Sequence, residues 1–164
     1  MDTSSVFDSF ELSFLRDAAA LVDSRLTALE QQARRIDDPD GKGIFDEAEY
    51  MTGFGLVACQ AYITGSISRS TRDRKVALTV GPQHDCGRSI AYLVNAGANY
   101  WKHSSEWEAP LSRRAQETAD AISSLGVDLD APYVMVNALA VILRPSDPRI
   151  GRLLPFLSQW HAAL

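Results

Sequence analysis

Seven side chains in one short stretch combine proton transfer with the stabilisation of negative charge: Arg88, Tyr92, Asn95, Asn99, Lys102, His103 and Glu106. On a helix advancing about 100° per residue they fall within roughly a third of the circumference. Imidazole titrates near neutrality, so His103 has the property that general acid or base work requires. Asn99 lies one turn before it, Asn95 and Arg88 sit further along the same stripe, and Lys102 is adjacent. A proton-transfer group beside amide and cationic donors suits attack at phosphorus, where the histidine moves protons and the donors stabilise the oxyanion. Ordinary surface helices carry Glu, Lys and Gln on the outer face, whereas Asn, His and Tyr form helices less readily. A structural reading stands beside the chemical one: Asn95, Asn99 and His103 would then hydrogen-bond to a neighbouring helix and fix its register.

Other motifs are weaker. Read from Asp38, the segment to Glu49 imitates a calcium loop, with Asp40 at position 3, Gly43 at 6, Asp46 at 9 and Glu49 at 12. Lys42 at position 5 would repel the ion, and no second loop pairs with it. An interhelix turn followed by an acidic helix start, Asp46-Glu47-Glu49, explains the same residues. His84-Asp85-Cys86 with His103 lacks the paired ligand spacings that zinc needs, and Asp85 reads better as a helix cap. Arg69 to Lys75 is the one dense basic run. It reads first as a solvated helix end and second as a contact for a phosphate backbone. No Ser–His–Asp pattern, phosphate-cradling glycine loop or dinucleotide fingerprint is present, and nothing points to a metal or redox cofactor.

The elements that must position these groups are helical. Phe7, Phe10, Phe14, Leu15, Ala18, Leu21, Val22, Leu26, Leu29 and Ala33 recur at spacings of three and four, predicting a long helix capped by Ser4 or Ser5 and reaching about Arg35. A second long helix, apolar over much of its circumference, is expected from about Asp46 to Ser68. Val76 to Val80 fits an extended segment or a short helix, closed by Gly81-Pro82. Opposite the polar stripe of Arg88 to Trp107, the residues Ile90, Leu93, Val94, Gly97 and Trp101 form a face that can sit on a core. Further helices are expected over Leu111–Leu125 and Tyr133–Leu143, the latter capped by Asp130. A last helix begins with Asp147 as cap and Pro148 in the first turn, and Pro155 kinks or restarts it. The expected fold is a single all-α domain of about six helices, two of them long.

The 164 residues suit one domain with a sizeable core. A formal net charge of −5 argues against broad, nonspecific nucleic-acid binding while leaving room for a local basic site. No secretory signal or membrane span is expected, and two cysteines, Cys59 and Cys86, fit a reduced cytoplasmic protein.

The run Ala98 to Trp107, ANYWKHSSEW, resembles the late-helix motif of HEPN-type proteins, small all-α domains of bacterial toxin–antitoxin and phage-defence systems. In that family a polar residue, often an arginine followed by an asparagine or another polar residue, precedes a histidine by four to six positions. Two copies meet to form a metal-independent ribonuclease site. The resemblance implies that His103 is the family histidine and Asn99 its polar partner, in a homodimer that acts on RNA. The family arginine would fall at Ala96, Gly97 or Ala98, so its charge must come from Lys102 or from a partner. Arg88, Asn95, Lys102 and Tyr92 would line the substrate site. The rival expectation is a non-catalytic protein–protein interaction module, with Tyr100, Trp101 and Trp107 as interface anchors and the polar stripe setting register.

Overall fold

The computed structural model describes the backbone from Thr3 to Leu164 and side chains from Phe10 onward. The expected role of the Phe7 side chain lies outside that range. The described residues are all-helical: α1 (Thr3–Ala33), α2 (Ile44–Arg69), α3 (Arg74–Ala77), α4 (Ile90–His103), α5 (Arg113–Ser123), α6 (Val134–Ile142) and α7 (Leu154–Ala162). Short 3-10 turns at Ser104–Glu106 and Ile150–Leu153 follow α4 and precede α7. The seventh helix is the four-residue α3, which overlaps only the start of Val76 to Val80, the segment the sequence left between extended and helical.

The two long helices are present, at 31 and 26 residues. Leu15, Ala19, Val22, Leu26 and Leu29 of α1 are buried at the predicted spacing, each fully buried leucine contributing about 1.5–3 kcal/mol. Phe10, Phe14 and Leu21 depart from that expectation and stand 67%, 60% and 65% exposed. Ion pairs Arg25–Glu47 and Arg69–Glu11, both 2.5 Å, tie α1 to α2 and fix their antiparallel sense. The central element, α2, packs against α1, α4 and α6, while α4 also meets α5, α6 and α7.

Gly53 is what brings α4 so close to α2. A Cβ there would lie 2.0 Å from Cδ1 of Trp101, whose indole occupies the space. Tyr50 meets the same indole edge-on, with ring centroids 5.2 Å apart. Trp101 is thus packed on its own chain.

Several expected helix starts are corrected. The backbone is already helical at Thr3, so Ser4 and Ser5 sit within α1. Ser89, not Asp85, caps α4: its hydroxyl accepts from Tyr92 N at 3.1 Å and donates to the Leu78 carbonyl. The helix stops at His103, so Arg88 and Trp107 flank it. Asp130 does not cap α6. That helix is entered through Tyr133 in the left-handed region (φ 62°), whose hydroxyl bonds Asp40 and whose ring meets Phe45. Its first N–H groups, Met135 and Val136, instead donate to the two carboxylate oxygens of Glu49 at 2.8 and 2.9 Å. Asp147 does not cap the last helix either. Asp23 of α1 accepts from Ile150 N and Gly151 N at 2.7 and 2.8 Å, and Pro155 sits in the first turn of α7. Both substitutions have one cause: orphan N–H groups at helix starts need acceptors, and a carboxylate from another helix serves as well as a local one.

Candidate functional site

Three elements enclose a groove of about 900 Å³. Helix α4 forms its floor, α3 with the turn after it forms one wall, and α5 with the Glu106–Trp107 segment forms the other. Trp160, fully buried, donates its indole N–H to Ala77 O at 2.8 Å and so pins α3 to the core. The Asp73 side chain caps the same helix by accepting from Lys75 N at 2.8 Å. Ser112 caps α5 by accepting from Ala115 N at 3.2 Å. Those anchors present Arg74 and Lys75 from one wall and Arg114 from the other.

None of these three cations has a carboxylate partner among the described residues. Both acids that line the groove are engaged: Glu106 lies 3.5 Å from His103 Nδ1, and Glu117 accepts from Arg113 Nε at 2.9 Å. His103, with its side chain 53% exposed, stands at the end of the floor. Asn95, Asn99, Tyr92 and Trp107 line the same space.

The polar stripe divides. Asn95 is buried, 8% exposed, and bonds to a neighbouring helix, as one of the two readings of the stripe expected. A glutamine of α2 explains how it is accommodated. Gln60 Nε2 donates to Asn99 Oδ1 (2.8 Å), Asn95 Oδ1 (3.0 Å) and Asn95 O (3.3 Å), while Gln60 Oε1 accepts from Lys102 Nζ (2.7 Å). Arg74 donates to Asn95 Oδ1 from the other side at 3.1 Å. Lys102 therefore faces α2 and is not among the groove's lining residues. Arg88 lies before α4, donating to Ser124 Oγ at 3.1 Å with its guanidinium 5.1 Å from the Tyr92 ring centre.

The aromatic residues expected at an interface pack within the chain. Tyr100 meets Trp107 edge-on at 5.4 Å and donates to Leu129 O at 3.4 Å. Burial, then the charges of Glu49 and Asp130, pushes the Tyr100 phenol up, so it stays protonated. The calcium-like loop is an interhelix turn in which Glu49, the twelfth position, is committed to α6. No cluster of three or more ligating side chains capable of holding a metal occurs among the described residues. His84 Nδ1 accepts from Cys86 N at 3.1 Å, a local turn bond. Burial, with the Asp23 charge, pushes the Cys59 thiol up to about 12, which leaves it without nucleophilic character.

A second hollow of about 380 Å³ lies among Leu26, Leu29, Phe45 and Leu139. Its one cation, Arg149, is held by Glu30 at 2.7 Å and Asp147 at 3.5 Å, so the hollow offers no free charge to a ligand. The larger groove has free charge.

No protein-family model, curated protein or solved structure matches the chain. Among the described residues no helix is long and apolar enough to cross a membrane. Sequence reasoning missed Gln60 and read the run holding Arg74 and Lys75 first as a solvated helix end and second as a phosphate contact. One signal for Gln60 was available: it stands alone as a polar residue in Val57-Ala58-Cys59-Gln60-Ala61-Tyr62-Ile63.

Proposed function

We propose that the groove binds the phosphodiester backbone of RNA and that the chain is a HEPN-like, metal-independent endoribonuclease acting as a cytoplasmic homodimer. The observation that carries this reading is the grouping of three cations without carboxylate partners among the described residues, Arg74, Lys75 and Arg114, around His103 and Asn99 in a chain of net charge −5. Cations left unpaired at one concave place are what a phosphate backbone recruits. Arg74 also answers the gap in the motif. The positive charge that Ala96, Gly97 and Ala98 cannot supply comes to the floor from α3 of the same chain.

In the proposed reaction His103 takes the proton of a ribose 2′-hydroxyl as that oxygen attacks the adjacent phosphorus. The bond from phosphorus to the 5′-oxygen breaks, and that oxygen takes up a proton from water. The products are a 2′,3′-cyclic phosphate and a 5′-hydroxyl end. Asn99 and Arg74 stabilise the extra negative charge on the phosphorane oxygens. Glu106 lies 3.5 Å from His103 Nδ1, which leaves Nε2 as the nitrogen for the transfer. The exposed row Phe10, Phe14 and Leu21 on α1 is the face assigned to the second copy, in keeping with a toxin–antitoxin or phage-defence role.

A second reading, the non-catalytic interaction module, is favoured by the Gln60 network, which joins α2 to α4 and would fix register without any chemistry. Labelled total RNA incubated with EDTA, using wild type and His103→Ala at matched purity, separates the two. Cleavage by wild type that is lost in the variant supports the nuclease. No cleavage by either, or equal cleavage by both, favours the interaction module.

A further inference from the structure

We infer that Gln60 is the positioning residue of the groove: by holding the side-chain oxygen of Asn99, it turns the Asn99 amide nitrogen toward the ligand. The inference rests on the reading of the groove as a phosphodiester site and assigns a role to a residue outside it.

Carboxamide oxygen and nitrogen are distinguished by their partners. Lys102 Nζ has only hydrogens to offer, so the Gln60 atom it meets at 2.7 Å must be the oxygen. The other end of that amide is then NH₂, and each atom it touches must accept. Asn99 therefore presents Oδ1 to Gln60 at 2.8 Å, and Asn95 presents Oδ1 at 3.0 Å. Arg74, equally unable to accept, meets the same Asn95 oxygen at 3.1 Å and demands the same orientation independently. Two donor-only cations at opposite ends of the chain of amides thus fix its direction.

The consequence falls on Asn99. With its oxygen committed, the group left for the groove it lines is Nδ2, which makes no hydrogen bond among the described residues. Beside Arg74 and Lys75 the floor then offers donors, and a donor-lined floor selects an anion over a ligand that presents only hydrogen-bond donors. A reversed Asn99 would aim a lone pair at the phosphate and repel it. Gln60, itself 8% exposed, makes that difference from behind the site.

The test uses the full-length protein and a 2′-O-methyl RNA tetranucleotide, which binds but cannot be cut by its own 2′-oxygen. In wild type, side-chain amide NMR should show Gln60 protons protected from exchange and Asn99 protons exchanging with water, the latter shifting when the tetranucleotide is added. Gln60→Met, which removes the hydrogen bonds without adding charge, should weaken binding about tenfold while the helical signal is retained. Gln60→Glu keeps the Lys102 contact but can only accept, so it should draw the Asn99 nitrogen inward and weaken binding at least as much. Protected Asn99 protons with freely exchanging Gln60 protons in wild type overturn the inference with or without a ligand. Wild-type affinity in Gln60→Met overturns it too, while leaving the phosphodiester reading intact. Failure of wild type to bind the tetranucleotide overturns the reading of the site and the role assigned to Gln60 within it.

Discussion

Arg74 makes two separable contributions, one to the fold and one to the groove. Its bond to Asn95 Oδ1 is duplicated by Gln60, so Arg74→Ala leaves that buried oxygen satisfied. The expected loss of stability is below about 1 kcal/mol, since a single redundant hydrogen bond is removed. Binding of the tetranucleotide should nevertheless fall about tenfold. The slope of log affinity against log salt should flatten by about 0.7, the value for one phosphate contact on a single strand. Filter binding at several salt concentrations beside a urea melt checks both, and an unchanged slope would remove Arg74 from the site. At this scale the sequence made His103 and Asn99 visible, because their types are unusual on a helix surface. Gln60, and the bond that joins Arg74 to the stripe, were hidden for a physical reason. Their importance comes from contacts spanning 35 and 21 residues to Asn95, which no local periodicity records.

At the scale of elements, helix existence was legible except at the short α3, and most helix caps were not. Spacings of three and four located α1, α2, α4, α5 and α6, because burying one stripe of a helix imposes that period. Caps follow a weaker rule, which any carboxylate in reach can satisfy. Glu49 shows how such a cap responds to pH. Burial holds its carboxyl above the ordinary range, while the N–H groups of Met135 and Val136 oppose that shift. Its unfolded counterpart ionises first as pH rises. The stability it contributes is therefore full below about pH 4.5 and is lost as pH rises through the folded value. A neutral isostere lacks that loss. Glu49→Gln should accordingly compare more favourably with wild type at pH 7 than at pH 4, in urea melts at both. A difference that ran the other way would mean that the two backbone donors outweigh burial.

For the molecule as a whole, a net charge of −5 works against broad attraction of polyanions while the groove gathers three cations, so under the proposed function RNA would be attracted at one place. The same scale governs association. Phe14→Glu places a charge in the exposed row of α1 without touching the core, so it should shift sedimentation from dimer to monomer while leaving the thermal midpoint within a few degrees. A wild-type protein that sediments as a monomer would remove the second copy from the proposal. The all-helical class was legible from sequence at this level; the groove was not, because its walls come from helices that no pattern orients.

Asp23 and Glu49 have a further consequence for how the protein is made. Both lie in the α1–α2 pair, and both supply acceptors for N–H groups that follow 86 to 128 residues later in the chain, at Met135, Val136, Ile150 and Gly151. The last third of the chain therefore emerges without the partners that finish its helices, and finds them already displayed on the α1–α2 pair. Synthesis would run from template to copy: the opening hairpin of helices stands first, and the closing segment takes its shape on arrival.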